Sequence, residues 1–280
     1  MTTNTDKSPL LNLKPKTMKQ NLLGWFLAFM SSLIFTLNHA VIQYNFVNAT
    51  DLTFVRSVLQ TLIIGFICYI KSYSLIPRPK EKKTKVRCLI VLQGICGGIM
   101  LIAGYGCLVL MPLGDASTLF ISAPAFTIFF AWLCLKESLS SIRVGLVLLL
   151  ISGTILVVQP PLIFGLKDTY SIDYYIGVGL AITAALADGV INVSINLCSD
   201  IESLVLLWWS GLCGLLLSLL SFSIDPNARI LTSDITTILP SDWIIIFVCS
   251  MVGFCGYFCM TKSLQLIDPT VVAFLRHWKS

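Results

Sequence analysis

Residues Val144–Val158 read VGLVLLLISGTILVV, an apolar run without a charged side chain. The run shows no alternation of polar and apolar residues, which argues against a transmembrane β-strand and predicts a helix. Apolar stretches of about 20 residues recur along the chain, and at about 1.5 Å per residue each could cross a bilayer core of about 30 Å. Of the 280 residues, 56% are hydrophobic and only 12% are charged. The chain is therefore predicted to be an all-α polytopic membrane protein.

Charged clusters divide the chain into about eight complete spans and the start of a ninth near Thr270. The first span is longer than the apolar part of a cleavable signal peptide and follows a polar leader over residues 1–21, so we interpret it as a signal anchor. The predicted spans are residues 22–44, 52–75, 88–111, 114–135, 143–161, 175–197, 202–224 and 243–262.

The cysteines and histidines are not arranged as a disulfide framework or a metal site. No CxxC motif occurs, and the two histidines, His39 and His277, are far apart in the chain. The sequence contains no nucleotide-binding signature and no nucleophile–base pair. The chain is therefore predicted to bind no cofactor and not to be an enzyme. Most of the ten cysteines fall inside predicted spans, where cysteine behaves as a small hydrophobic residue: Cys68, Cys96, Cys107, Cys134, Cys213, Cys249, Cys255 and Cys259.

The net charge of +5 comes from basic residues that sort by loop, which indicates membrane topology rather than nucleic-acid binding. The alternate loops contain only Lys167 and Arg229. By the positive-inside rule the N-terminus is predicted to be cytosolic. The membrane itself is expected to be the plasma membrane or that of the Golgi, the ER or an endosome or lysosome. The basic residues assigned to the cytosolic side are Lys7, Lys14, Lys16, Lys19, Arg78, Lys80, Lys82, Lys83, Lys85, Arg87, Lys136 and Arg143.

The chain resembles itself at a shift of about 153 residues, which indicates an internal repeat. If the unit has five spans, an odd number, the second copy enters the membrane from the opposite side. We therefore expect two inverted halves, the second incomplete because charge follows soon after the ninth span begins. The matching positions are Asn38 and Asn192, Gly104-Tyr105 and Gly256-Tyr257, and Asp115 and Asp268.

Residues Leu110–Glu137, LMPLGDASTLFISAPAFTIFFAWLCLKE, resemble the fourth span of the drug/metabolite transporter superfamily in its EamA-like branch. Within it, the chain is most similar to the G group of solute carrier family 35. The resemblance implies two inverted five-helix repeats, over residues 22–161 and, incompletely, 175–280, that move small organic solutes by alternating access. The other residues on which the resemblance rests are Arg56, Gly145, Gly153 and Asp268-Pro269-Thr270-Val271.

Polar side chains inside a span are costly and are candidates for a binding site. Asp188, Asn192 and Asn196 follow one another at four-residue steps and therefore share one helix face. This face forms either a cavity wall, with Asp188 accepting a proton or cation, or a set of interhelical hydrogen bonds.

The first three spans contain further candidates. Asn38 and His39 lie in span one, where His39 could exchange a coupling proton or face the membrane interface. Arg56 could attract an anionic solute group, extend towards water, or pair with Asp51. Tyr105 could line a cavity or serve in packing.

Other residues are assigned structural roles. Asp115 and Asp268 begin their spans and are predicted to cap helix N-termini. Pro124 predicts a kink in span four, and Glu137 is predicted to form an ion pair with Lys136. Gly94 and Gly98 have the GxxxG spacing of close helix packing.

Two functions remain open at this stage. The first is a secondary transporter of a small organic solute, with an organic anion as the candidate solute and protons as the candidate coupling ion. The second is a truncated, non-transporting membrane protein that binds or regulates partners. The lipid bilayer is the predicted environment in both, and a homodimer is compatible with either.

Overall fold

The computed structural model describes residues 18–44, 48–75, 83–120, 122–135, 141–158, 171–223, 228, 230 and 239–267. These residues form helices, turns and loops, and no strand occurs within the ranges described. The helices are α1 Met18–Tyr44, α2 Ala49–Ile70, α3 Lys83–Leu110, α4 Leu113–Phe120, α5 Ala123–Phe130, α6 Ser141–Val158, α7 Ile172–Leu197, α8 Ser203–Ser221 and α9 Pro240–Leu266.

Seven helical segments in the described part of the chain are long and apolar enough to cross a membrane. This confirms an all-α polytopic membrane protein. The predicted fifth span coincides with α6, which is not one of those seven segments. The number of eight spans therefore stays a prediction, and the start of a ninth near Thr270 lies outside the described residues.

Helix α2 shows how one span divides between bilayer and protein interior. Arg56, Gln60 and Ile64 follow at four-residue steps and are all buried. On the opposite side, Leu62 and Phe66 are 65% and 66% exposed, as expected of side chains in contact with lipid. Asn48 caps the start of the helix, since its Oδ1 accepts hydrogen bonds from the backbone amides of residues 50 and 51.

Span four is broken rather than kinked. Helix α4 ends at Phe120, α5 begins at Ala123, and Pro124 occupies the first turn of α5. A proline in the first turn removes an amide that would have no helical partner, so it is well tolerated there. A π-helical turn, Ala131–Leu135, follows α5 and was not foreseen from the sequence.

Helices from the two halves of the chain pack against each other. Helix α1 packs along α9, α3 along α7 and α8, and α2 along α8. Glycines permit the closest approach: a Cβ added to Gly98 of α3 would lie 3.0 Å from the Cα of Gly214 on α8. A Cβ on Gly94 would lie 3.0 Å from the carbonyl oxygen of Trp209. The close packing predicted for Gly94 and Gly98 is confirmed.

One end of the bundle, here called the proximal end, is where α1 begins and α7 and α9 end. The Oγ of Ser263, near the end of α9, donates to the carbonyl of Gly24 on α1 at 2.8 Å. The Nδ2 of Asn196, near the end of α7, donates to the carbonyl of Leu264 at 3.2 Å. These bonds bring the three helix ends together.

The opposite, distal end is where α1 ends and α4 and α7 begin. The Nε2 of Gln43 on α1 donates to the carbonyl of Met111 before α4, at 3.2 Å. The phenol of Tyr174, in the first turn of α7, donates to Oδ2 of Asp115 at 3.0 Å. Helices α1 and α7 therefore run in opposite directions through the bundle.

Candidate functional site

A cavity of about 300 Å³ lies between α1, α2, α3, α4 and α7. It includes Gly114 at the start of α4, which is exposed, so the cavity opens towards the distal end. Its wall is mostly apolar, with a small number of polar groups, as is usual for sites that bind small molecules. The polar lining includes Ser32, His39, Arg56, Tyr105, Ser117 and Asp188.

Arg56 is the cation of this cavity, although its side chain is only 1% exposed. Its Nη1 donates to the phenol oxygen of Tyr105 on α3. Its Nη2 donates to the carbonyl of Gly253 on α9 at 2.9 Å. The Cζ atom also lies 5.9 Å from the ring centroids of both Tyr105 and Tyr257, within cation–π range.

These contacts explain how a charge is tolerated at this depth. A charge at the centre of a span costs about 2.5–3.5 kcal/mol on insertion scales, and a hydrogen bond to a charged group contributes about 1.5–3 kcal/mol. Two such bonds are enough to offset the cost. The Nε of Arg56 has no hydrogen-bond partner, so the guanidinium retains a donor for a further oxygen atom.

Asp188 is the carboxylate of the cavity and belongs to the polar face predicted on α7. It is 1% exposed, and its Oδ2 accepts a hydrogen bond of 3.4 Å from Nδ2 of Asn192. The same nitrogen donates to Oγ1 of Thr127 on α5 at 3.1 Å. Asn192 therefore holds Asp188 against the cavity and links α7 to α5.

His39 lies in an aromatic corner of the cavity and is half-buried. Its ring stacks on Phe120 at 5.7 Å with an interplanar angle of 25°. Its ring is edge-on to Tyr105 at 6.3 Å, and Phe35 lies 6.1 Å away. The half-buried imidazole lies in the same cavity as the carboxylate of Asp188 and could exchange a proton there.

Asn38 is not part of the cavity lining but adjoins the contact between Arg56 and Gly253. Its side chain is 2% exposed, and neither its amide nitrogen nor its amide oxygen has a hydrogen-bond partner. A Cβ on Gly253 would lie 2.8 Å from Nη1 of Arg56 and 3.0 Å from Nδ2 of Asn38. Only a residue without a side chain fits here between the three helices.

The remaining predicted residues lie elsewhere. Asn196 is at the proximal end, where Nδ2 donates to the carbonyls of Leu264 and Ile267 at 3.2 and 3.5 Å. Asp115 lies in the first turn of α4 and accepts the bond from Tyr174 described above. Glu137 and Asp268 lie outside the described residues, so their predicted roles stay predictions.

Sequence reasoning missed a buried polar cluster that continues beyond Arg56. The phenol oxygen of Tyr257 accepts from Nε2 of Gln93 at 3.1 Å and from Oγ of Ser210 at 3.2 Å. Nearby, Nε2 of Gln60 donates to the carbonyl of Leu207 at 2.8 Å. The signal was available: an amide in the middle of a span carries the same cost whether it belongs to Asn or Gln.

A thiol outside the spans has a strongly shifted pKa. Cys198 follows α7 at the proximal end and is 2% exposed. Burial, with a smaller contribution from the negative charge of Asp200, raises the pKa of Cys198 to about 12. The thiol therefore stays protonated at neutral pH.

Comparison with known proteins agrees with this architecture. The model of the EamA-like transporter family matches residues 22–159. Human solute carrier family 35 member G1 is 26% identical over 261 residues, covering 91% of this chain and 68% of that protein. The pseudopaline exporter of Pseudomonas aeruginosa is 27% identical over 164 residues, covering 58% of this chain and 54% of the exporter. One crystal structure matches with a TM-score of 0.63 at 16% identity, covering 92% of this chain and 84% of its own.

These likenesses support a member of the drug/metabolite transporter superfamily, through its EamA-like domain, and an integral multi-pass membrane protein of the kind that transports small solutes. Within the superfamily it is close to the G group of solute carrier family 35. Both statements confirm the resemblance found in the sequence.

Proposed function

We propose that the protein is a secondary transporter that moves a small organic anion by alternating access, with Arg56 binding the anionic group of the solute. One observation carries this proposal: a buried cation lines the cavity while contacts from Tyr105 on α3 and Gly253 on α9 hold it. Because these contacts come from opposite halves of the chain, a movement of one half against the other changes the surroundings of the solute.

The packing of the helices supports an inverted repeat. In the proposed repeats, 22–161 and 175–280, α1 corresponds to α7 and α3 to α9. The repeat therefore makes the contact between α1 and α9 equivalent to the contact between α7 and α3, and both contacts are extensive. Corresponding helices α1 and α7 also run in opposite directions. Asn48 at the start of α2 and Cys198 after α7 lie at opposite ends of the bundle, as inverted halves require.

Coupling to protons is proposed for the group formed by His39 and Asp188. Both line the cavity, so a proton bound there changes the charge that the solute meets. Neutralising Asp188 would favour an anion beside Arg56, which would link uptake of the solute to uptake of a proton. With the N-terminus proposed to be cytosolic, the distal opening faces away from the cytosol.

The names of the relatives fit a carrier of solutes. The human relative is a solute carrier and the bacterial one exports pseudopaline. The solute of this chain is to be identified by screening.

Uptake into proteoliposomes, with and without a pH gradient, tests the proposal. The probes are labelled carboxylates, phosphate esters and amino acids. We expect Arg56→Ala and Asp188→Asn to abolish uptake of any probe that the unaltered protein accumulates. Matched controls are Lys71→Ala, which removes an exposed cation from the end of α2, and Asp200→Asn, which removes an exposed carboxylate.

Two results would contradict the proposal. Full uptake by both cavity variants would remove the assigned site. Folded protein that accumulates none of the probes would instead favour the second function, a membrane protein that binds partners without transport.

A further inference from the structure

Two tyrosines flank Arg56 at equal distance but in unequal surroundings. Tyr105 and Tyr257 occupy matching Gly-Tyr positions of the internal repeat, and each ring centroid lies 5.9 Å from Cζ of Arg56. Tyr105 lines the open cavity. Tyr257 is 1% exposed, does not line that cavity, and its phenol oxygen is occupied by bonds from Gln93 and Ser210. The two tyrosines therefore occupy equivalent positions of the repeat, but Tyr105 lies on the open side of Arg56 and Tyr257 on the closed side.

The side of Arg56 that contains Tyr257 is polar as well as buried. Gln60, Gln93, Ser210 and Tyr257, here called the inner polar cluster, are all between 0% and 1% exposed. The side-chain oxygens of Gln60 and Gln93 have no hydrogen-bond partner. Buried carbonyl groups without partners are destabilising, so this arrangement exceeds what helix packing needs. The cluster has spare acceptors, which water or solute could use.

The inner polar cluster lies on the proximal side of Arg56. Helix α2 starts at the distal end, so Gln60 is about 6 Å further than Arg56 towards the proximal end, at about 1.5 Å per residue. Helix α3 runs the other way and reaches Gln93 about 18 Å before Tyr105. On α9, Tyr257 comes one turn after Gly253 in the proximal direction. The directions of α2, α3 and α9 therefore all place the cluster on the proximal side of Arg56.

Hydrogen bonds close the proximal end beyond the cluster. The Oγ of Ser203 at the start of α8 donates to Oε1 of Gln265, and Nε2 of Gln265 donates to the carbonyl of Ile201 at 2.7 Å. The bonds from Asn196 to α9 and from Ser263 to Gly24 close the other sides. The open cavity and the closed cluster therefore lie on opposite sides of one cation.

We propose that the inner polar cluster is the second half of the solute path, the closed counterpart of the open cavity, and that Tyr257 is its gating residue. The inference rests on the proposed function. When the proximal end opens, the phenol of Tyr257 leaves Gln93 and Ser210 and donates its O–H to the anionic group at Arg56. The phenol of Tyr105 loses its own contact with the anionic group as the distal end closes. Arg56 binds the anionic group in both halves of the path and keeps its position in α2.

Labelling of introduced cysteines with a membrane-impermeant methanethiosulfonate tests this inference without a known solute. Ser210→Cys reports on the inner polar cluster and Ser117→Cys on the open cavity, each measured against the same protein without the introduced cysteine. We expect the first to react only from the proximal side and the second only from the distal side. Adding Tyr257→Phe keeps the ring but removes the phenol oxygen, which accepts from Gln93 in both proteins. Because the closed state loses a hydrogen bond, the labelling rate of Ser210→Cys should rise about tenfold and that of Ser117→Cys should fall.

The opposite direction of the two changes separates gating from loss of structure. A variant that only loosens the bundle would raise both rates together, which would overturn the inference. Labelling of Ser210→Cys from the distal side, from neither side, or at a rate that Tyr257→Phe leaves unchanged would also overturn it. Tyr69→Phe is the matched control, because Tyr69 is exposed near the end of α2 and contacts neither Arg56 nor the cluster, so its loss should not change labelling at position 210. If uptake is found but the rates fail to exchange, the transport function stands and only this inference falls.

Discussion

Gly253→Ala directly tests the packing around Arg56. The added Cβ would lie 2.8 Å from Nη1 and 3.2 Å from Cζ of Arg56, and 3.0 Å from Nδ2 of Asn38. The guanidinium cannot move freely, because its bonds to Tyr105 and to the Gly253 carbonyl fix it on both sides. Overpacking of this kind costs about 1–3 kcal/mol. We expect a loss of stability in that range together with a large loss of uptake.

Thermal unfolding in detergent and uptake in proteoliposomes measure the two effects. Gly179→Ala is the matched control, since a Cβ at Gly179 on α7 meets nothing within 4 Å. Replacing an exposed helical glycine by alanine should raise helix stability by about 1 kcal/mol. Equal melting temperatures and equal uptake for Gly253→Ala and the unaltered protein would refute the packing proposed around Arg56.

Three further predictions concern the ends of the bundle. Asn48→Ala removes the side-chain cap of α2 and should cost about 1 kcal/mol in thermal unfolding, whereas Asn48→Asp keeps an acceptor and should cost less. Cys198 should resist maleimide at neutral pH and react only as the pH rises towards its pKa of about 12, because the thiolate is the reactive form; mass spectrometry after labelling at pH 7 would contradict this if Cys198 is fully modified. Asp115→Ala and Tyr174→Phe should be non-additive in a double-mutant cycle of melting temperatures, since each removes the one hydrogen bond that they share; additive effects would show that the bond contributes nothing to stability.

Much of the architecture was predictable from local pattern. Long apolar runs separated by charge predicted helical spans, and helices in the described ranges match most of them to within a few residues. Pro124 predicted a kink in span four, because proline lacks the amide that a helix interior requires; the structure instead has two helices, one ending at Phe120 and one beginning at Ala123. The π-helical turn Ala131–Leu135 was not predictable, since no residue type specifies it.

The candidate site was predictable in part. Arg56, His39, Tyr105 and Asp188 were singled out because polar groups inside spans are costly, and all four line one cavity. The same argument did not separate them from Asn196, which was grouped with the site. A cost of burial identifies which side chains need partners, but it does not say which partners they find.

The sequence by itself determined the class of protein, because helix formation in a bilayer depends only on the length and polarity of each segment. Only the tertiary structure decided that Arg56 contacts Gly253, 197 positions away, and that Tyr105 and Tyr257 lie on either side of it. Contacts between distant helices follow from how whole surfaces pack, and small residues such as Gly253 and Gly214 matter there for the space they leave. That space has no signature in the local sequence.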